Sequence, residues 1–129
     1  MPFYQFTVSS DSISARRKAE IAKAITETHC KVTGAPADYV SVSFIDLGPG
    51  DLYLAGKPAS GARMVGLIRQ RPEALKRELL LSLGQAWSSA TGEPVTDVVM
   101  FLVDIPGYQA MENGVLLPDA AEEHRQLVG

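Results

Sequence analysis

The chain has 129 residues, 46% of them hydrophobic and 21% charged, a composition typical of one globular domain that folds without disulfide or metal. A net charge of −3 argues against a nucleic-acid or anionic-membrane partner. Cys30 is the only cysteine, so an internal disulfide is impossible. No signal peptide and no run of ~20 apolar residues is present. We therefore expect a single cytoplasmic domain over residues 1–129.

The first half of the chain reads as a strand, a helix and a strand. Apolar and polar residues alternate over residues 3–8, which predicts a strand. A helix is expected to begin near Ser14, with Ser12 or Ser14 as its cap, and to stop at Gly34. A second strand is predicted at residues 39–45. The apolar side of the helix is formed by Ile21, Ala24, Ile25, Thr28 and Val32.

The second half repeats this order after a link rich in glycine and proline. Within the link, residues 52–54 can form a small strand. A strand is predicted at residues 64–68, and Pro72 is expected to open a helix at a first-turn position, where proline is tolerated. Residues 91–94 end that helix, and residues 97–103 form the last main strand.

The two halves are an internal repeat. TGAPADYVSVSFID begins at Thr33 and TGEPVTDVVMFLVD begins at Thr91, and the offset of 58 residues holds to Asp46 and Asp104. We expect two β-α-β units, about 1–58 and 59–118, with a C-terminal tail. They predict an α+β fold in which a four-stranded sheet carries two helices on one face. The bare second face predicts self-association, and the tail after Pro106 is expected to wrap over a neighbouring subunit.

Several motifs join this repeat to a known family. They are MPFYQFTVS at the start, AKAITETH in the first helix, LYLAG in the link, GLIR before the second helix and PGYQAMENGVLLP in the tail. With a duplicated β-α-β unit that begins with Met-Pro, the chain resembles the tautomerase superfamily and is most similar to its cis-3-chloroacrylic acid dehalogenase group. The resemblance covers almost the whole chain. It implies a tautomerase-like homotrimer, a small carboxylate substrate and no cofactor.

The resemblance also implies that Pro2 is catalytic, as a free secondary amine exposed by removal of Met1. A free α-amino group titrates near pH 8, so a modest change in its pKa decides whether the amine is neutral or protonated near neutral pH. Burial and nearby arginines would lower its pKa and make it a general base, whereas a carboxylate would hold it protonated as a general acid. A retained Met1 would leave Pro2 as an inert amide.

Four further residues match functional positions of the family. Arg69 and Arg71 would hold the substrate carboxylate, because residues two apart on a strand project to one side and guanidinium groups match carboxylates. Only Gln70 separates them where relatives have two residues, so Arg69 is the firmer match. Glu112 would activate water. His29 lies on the apolar side of the first helix, where a histidine is more often a hydrogen-bonded core residue than a catalyst. The family match implies that it contacts a substrate carboxylate or carbonyl oxygen.

One position departs from the family. Phe101 stands at a substrate-binding position where dehalogenase relatives have a tyrosine, whose hydroxyl helps to position water or substrate. Tyr108 in the next loop is a candidate replacement, although packing is its favoured interpretation. Trp87 occupies the repeat position of His29, which indicates that the second unit uses this position for packing.

Three functions remain open on this basis. The leading one is cofactor-independent hydrolytic dehalogenation or hydration of the cis-3-chloroacrylic acid dehalogenase type. Keto–enol tautomerisation of phenylpyruvate-like 2-oxo acids is the second, since it needs only Pro2 and one arginine and survives the loss of the tyrosine. The third is a non-catalytic binding or signalling module resembling macrophage migration inhibitory factor.

Overall fold

The computed structural model describes residues 1–120, which contain the two predicted units and the chain after Pro106 as far as Ala120. The helices are α1 (Ala15–Thr33) and α2 (Glu73–Thr91), each of 19 residues. The strands are β1 (Phe3–Ser9), β2 (Ser41–Leu47), β3 (Tyr53–Leu54), β4 (Lys57–Pro58), β5 (Ala62–Arg69), β6 (Val98–Ile105), β7 (Met111–Glu112) and β8 (Val115–Leu116). In this part of the chain no helix is long and apolar enough to cross a membrane.

The two β-α-β units are alike down to single hydrogen bonds. Both helices end at a left-handed glycine, Gly34 or Gly92, which frees the chain to turn toward its next strand. The residue before each glycine is a threonine: the Thr33 hydroxyl donates to the His29 carbonyl at 2.7 Å, and the Thr91 hydroxyl donates to the Trp87 carbonyl at 2.8 Å. The predicted Ser14 cap is also present, since its hydroxyl accepts from the Arg17 backbone N–H.

Each unit also ties its helix to its second strand with an ion pair. Lys18 on α1 lies 2.8 Å from Asp46 on β2, and Lys76 on α2 lies 3.0 Å from Asp104 on β6. The two pairs are related by the same 58-residue offset as the sequence repeat. They therefore fix equivalent helix positions over the two halves of the sheet.

Three residues at predicted element boundaries have a different backbone structure from the one predicted. Pro72 is the N-cap of α2 rather than a residue of its first turn, because its ψ of 152° is extended. Tyr39 and Asp97 lie in 3₁₀ turns rather than in strands. Their N–H groups donate to the carbonyls of Pro36 and Pro94, three residues earlier, so these groups are not available to a neighbouring strand.

The main sheet has the order β2-β1-β5-β6. Strands within each unit are parallel, as predicted, and β1 and β5 pair antiparallel at the centre. The two helices pack against each other and cover one face. The side chains that fill the space below them are fully or almost fully buried: Tyr4, Phe6, Val8, Ile21, Ile25, Met64, Ile68, Leu79, Leu83 and Trp87.

The other face of the sheet is covered by none of the described elements. Ile45, Val65, Val99, Phe101 and Val103 point to this side, and each is at least 40% exposed. The strand register places Val65 beside Phe101, so the apolar side chains form a continuous patch over β5 and β6. An apolar patch of this kind on a sheet face is typical of a surface that another subunit covers.

The described part of the tail folds back onto its own chain instead of only reaching toward a neighbour. The Leu117 N–H donates to the Ala110 carbonyl at 3.0 Å, and the Arg69 guanidinium donates to the Pro118 carbonyl. Tyr108 and Met111 remain 72% and 67% exposed. Their contact with another subunit stays a prediction.

The helix–sheet core predicts a large difference between two leucines on α2. Leu79 is fully buried and Leu81 is 75% exposed. Leu79→Ala should lower the free energy of unfolding by about 2–5 kcal/mol, because it removes buried methyl groups and leaves a cavity. Leu81→Ala, the matched control, should change it by less than about 0.5 kcal/mol. Urea unfolding of both variants measures this, and equal losses would contradict the assigned packing.

Candidate active site

The antiparallel pairing of β1 and β5 brings the start of the chain to the end of β5. Phe3 lies opposite Leu67, so Pro2 and Arg69 lie at the same edge of the sheet. Pro2 is fully buried, and its carbonyl accepts from the Ser41 N–H at 3.1 Å. This hydrogen bond ties the first residues to the start of β2. The N-terminus is therefore held inside the fold rather than projecting into solvent.

Glu112, in the tail, lies next to the N-terminus. Its carboxylate forms an ion pair with the Met1 ammonium group, although the two residues are 111 positions apart. Glu112 lies on the hairpin of β7 and β8, whose Asn113–Gly114 turn has both φ angles positive, as in a type I′ turn. The hairpin thus presents a carboxylate to the beginning of the chain.

A close backbone approach holds this tail in place. A Cβ atom on Gly107 would clash with the Pro118 carbonyl oxygen, so no larger residue fits between the two segments. The same carbonyl accepts from Arg69, whose side chain is only 3% exposed. Arg69 therefore connects the end of β5 to the tail.

Arg71 lies near His29 and Tyr4. Burial lowers the pKa of His29, and the positive charge of Arg71 lowers it further. Burial raises the pKa of Tyr4, and the charge of Arg71 offsets part of that increase. The Arg71 guanidinium also donates to the Gln70 carbonyl at 3.1 Å. Both predicted arginines consequently belong to the region that surrounds the N-terminus, despite the short spacing between them.

His29 is buried against Tyr4. The Tyr4 hydroxyl oxygen lies 2.7 Å from His29 Nδ1, and the two rings meet edge to face. Burial first, then Arg71 and the N-terminal charge, lower the pKa of His29 from 6.5 to about 4, and burial raises that of Tyr4. Near neutral pH, His29 is thus a neutral imidazole and Tyr4 a neutral phenol.

These protonation states favour one tautomer of His29. A buried hydroxyl needs an acceptor for its hydrogen, and donation by Tyr4 to Nδ1 supplies one. The Nε2 atom of His29 then carries the ring proton and serves as a donor to an oxygen. Contact of this N–H with a substrate carboxylate or carbonyl oxygen stays a prediction.

Phe101 is not part of this cluster within one chain. It lies on the bare face of β6, 53% exposed, whereas Pro2 and Tyr4 lie among the buried residues on the helix side. It can approach such a site only from another subunit. Tyr108 is likewise exposed and makes no hydrogen bond with Pro2, His29 or Glu112 among those recorded for residues 1–120.

Sequence reasoning missed two parts of the site. Tyr4 was assigned only to a strand, although its alternation with Phe6 placed it on the buried side opposite the first helix. The hairpin that carries Glu112 was also missed, although Asn113–Gly114 is a strong signal for a two-residue hairpin turn.

Across residues 1–120, no group of three or more His, Cys, Asp or Glu side chains is arranged to hold a metal.

A family model and several solved structures match the chain. The model, described as a putative oxalocrotonate tautomerase enzyme, matches residues 1–128. The protein crystallised as native Ps01740 is 37% identical, with 85% of this chain and 99% of its own covered and a TM-score of 0.80. No curated protein sequence gives a significant match.

Two further structures relate the fold to described groups. N1, a member of the cis-3-chloroacrylic acid dehalogenase family, is 29% identical, with 96% of this chain and 89% of its own covered and a TM-score of 0.88. The fused 4-OT called Q0, a wild-type symmetric trimer, is 26% identical, with 92% and 98% covered and a TM-score of 0.81.

The lowered pKa of His29 predicts a loss of stability in acid. Between pH 6.5 and pH 4 the unfolded chain binds a proton at this residue and the folded chain does not, so the free energy of unfolding falls as the pH falls. From pH 7 to pH 4.5 the wild type should lose about 2 kcal/mol more than His29→Gln, which cannot be protonated. Urea unfolding at both pH values measures the difference, and parallel losses in the two proteins would contradict the buried neutral imidazole.

Proposed function

The chain belongs to the putative oxalocrotonate tautomerase family, and from that premise we propose that it is a cofactor-independent enzyme in which Pro2, freed by removal of Met1, performs acid–base catalysis on small unsaturated carboxylates. The reaction resembles that of cis-3-chloroacrylic acid dehalogenases. The observation that carries the proposal is the ion pair between the N-terminus and Glu112.

Substrate binding rests on the two arginines and His29. Arg69 and Arg71 supply the positive charge that a carboxylate needs, and the neutral His29 supplies an N–H donor. Withdrawal of electrons toward the bound carboxylate would make the distal carbon of a conjugated double bond electrophilic. The buried surroundings of Pro2 and Arg69 strengthen these interactions relative to water.

Glu112 and Pro2 then have complementary roles. Glu112 accepts a proton from water as the water oxygen forms a bond to C3 of a cis-3-haloacrylate, and the Pro2 ammonium group donates its proton to C2. The adduct carries hydroxyl and halide on one carbon. It collapses to an aldehyde, with loss of the halide and a proton. A carboxylate beside Pro2 favours the protonated amine that this role requires.

Phe101 favours a second candidate, keto–enol tautomerisation of phenylpyruvate-like 2-oxo acids. A phenyl ring cannot supply the hydroxyl that helps to position water, whereas ketonisation of an enol requires no water. In that reaction Pro2 takes the enol hydroxyl proton and returns a proton to carbon, with one arginine holding the carboxylate. Dehalogenation needs Glu112 as the base for water and ketonisation does not, which separates the two reactions experimentally.

Pro2→Ala and Glu112→Gln should distinguish the two activities. Alanine at position 2 still permits removal of Met1 but lacks the secondary amine, so both activities should fall by about 10²-fold or more. Glu112→Gln removes the base for water and should lower chloride release by a similar factor while changing phenylenolpyruvate ketonisation less than about 10-fold. Chloride release from cis-3-chloroacrylate and loss of enol absorbance are the two measurements.

Intact mass and a matched variant complete the test. The wild type should lack Met1, and Glu78→Gln, on the exposed side of α2, should leave both rates unchanged. Absence of both activities in protein that has lost Met1 would contradict the proposal. A native protein that keeps Met1 would favour a non-catalytic binding module instead.

We also propose that the chain assembles as a homotrimer through the bare face of its sheet. The apolar patch of Val65, Val99, Phe101 and Val103 supports this, as does the trimeric state named for the fused 4-OT structure. Assembly in this way would bring Phe101 of one chain toward the site of another. Phe101, which stands where dehalogenase relatives have a tyrosine, would then reach the site from the neighbouring subunit.

A charge in the patch should break the trimer. Light scattering should give three times the chain mass of 13.9 kDa for the wild type. Phe101→Glu should shift it to smaller species, because an unpaired carboxylate cannot be buried without a large cost. Leu81→Glu, on the exposed side of α2, is the matched control and should stay trimeric. Unchanged mass for Phe101→Glu would show that the interface lies elsewhere.

A further inference from the structure

Tyr4 has an apolar counterpart in the second unit. The antiparallel β1–β5 pairing relates the two units by an approximate two-fold axis. In the first unit Tyr4 pairs with Val42 of β2. The repeat offset of 58 residues leads from Val42 to Met100 of β6, and Met100 pairs with Met64 of β5. Met64 therefore occupies the repeat position of Tyr4.

The second unit packs this position without a hydrogen bond. Trp87 takes the place of His29, and both Met64 and Trp87 are fully or almost fully buried. The Trp87 indole N–H has no hydrogen-bond partner within residues 1–120. Packing of the helix on the sheet at this position consequently does not require a polar pair. The first unit has such a pair, Tyr4 with His29, which indicates a role other than packing.

The strand beside Tyr4 leaves room for its ring. Tyr4 pairs with Gly66 of β5, and a Cβ atom on Gly66 would lie 2.6 Å from Cε1 of that ring. The φ of Gly66 is not positive, so this position needs glycine for space and not for its backbone conformation. The ring thus lies against β5 and meets His29 of α1 edge to face. The close approach fixes where the Tyr4 hydroxyl is placed.

The direction of the Tyr4–His29 hydrogen bond determines what the other ring nitrogen can do. Nδ1 is the one partner recorded within residues 1–120 for the buried Tyr4 hydroxyl, so the hydroxyl donates to it. Nε2 then carries the ring proton and can donate it. In the opposite tautomer of a neutral imidazole, Nε2 would present a lone pair and repel an anionic oxygen. Loss of the Tyr4 donor would make that tautomer accessible.

We propose that Tyr4 is a positioning residue of the active site, whose hydroxyl holds His29 in the tautomer that donates from Nε2 to a substrate oxygen. The inference rests on the proposed function, because it assigns a role to Tyr4 in the same site. The charges of Arg71 and of the N-terminus act on the His29 ring, which therefore lies at the end of the sheet where these groups meet. Tyr4 is fully buried and acts only through His29.

Tyr4→Phe tests the proposal, because it removes the hydroxyl and keeps the ring. In wild-type protein with ¹⁵N-labelled histidine near neutral pH, the NMR shifts of His29 should show an unprotonated Nδ1 and a protonated Nε2. In Tyr4→Phe the tautomers should be mixed, so the two shifts should move toward each other. His29→Gln removes one of the two histidines of the chain and assigns the signals. Tyr53→Phe, at an exposed tyrosine, is the matched control and should leave the His29 shifts unchanged.

Kinetics show whether the tautomer matters to the reaction. In Tyr4→Phe, kcat/KM should fall about 10-fold for whichever of chloride release and ketonisation the wild type catalyses. In a His29→Gln background the same substitution should change kcat/KM less than about 2-fold, because Tyr4 acts through His29. A merely structural role of the hydroxyl would lower kcat/KM equally in both backgrounds.

Three results would each overturn the role of Tyr4. They are an Nδ1–H tautomer in the wild type, unchanged His29 shifts in Tyr4→Phe, and equal losses of kcat/KM in the two backgrounds. Absence of both activities in wild-type protein that has lost Met1 would instead contradict the proposed function, and the role of Tyr4 with it. The two failures are therefore distinguishable.

Discussion

The antiparallel pairing of β1 with β5 is the constraint on which the rest of the molecule depends. The strands within each unit pair parallel, which gives two equivalent halves. The central β1–β5 pairing is antiparallel, so the strands of the two halves run in opposite directions. It thereby puts the first residues of the chain against the last residues of β5. Pro2 obtains its arginine neighbours from the other half of the repeat, although 67 positions separate it from Arg69.

The same pairing explains why the two ends of the sheet have become different. A two-fold relation would give both ends the same chemistry if the halves were identical in sequence. One end has instead gained the tail hairpin with Glu112, a buried imidazole and two arginines. The other end has a buried indole and carboxylates. Duplication within one chain allows this divergence, because each position of the repeat can change without changing its counterpart.

The main elements could be predicted from the sequence because they depend on local signals. Apolar spacing, the Ser14 cap and the glycine stops located the helices, and the 58-residue repeat predicted the two β-α-β units but not the antiparallel pairing of β1 with β5. The position of Glu112 could be inferred only by resemblance, since a contact between residues 1 and 112 leaves no local periodicity. The Tyr4–His29 hydrogen bond was inaccessible for the same reason, as it joins a strand to a helix 25 residues away. Neither spacing nor composition determines which buried hydroxyl faces which ring nitrogen.

The central claim is that the mature N-terminal nitrogen lies beside the Glu112 carboxylate, and one measurement tests it most directly. In protein that lacks Met1 and contains ¹⁵N-labelled proline, the pKa of the Pro2 amine can be followed by NMR in the wild type and in Glu112→Gln. A carboxylate in contact stabilises the protonated amine, so the substitution should lower the pKa of Pro2. An equal pKa in the two proteins would contradict the account, because it would place Glu112 away from the amine.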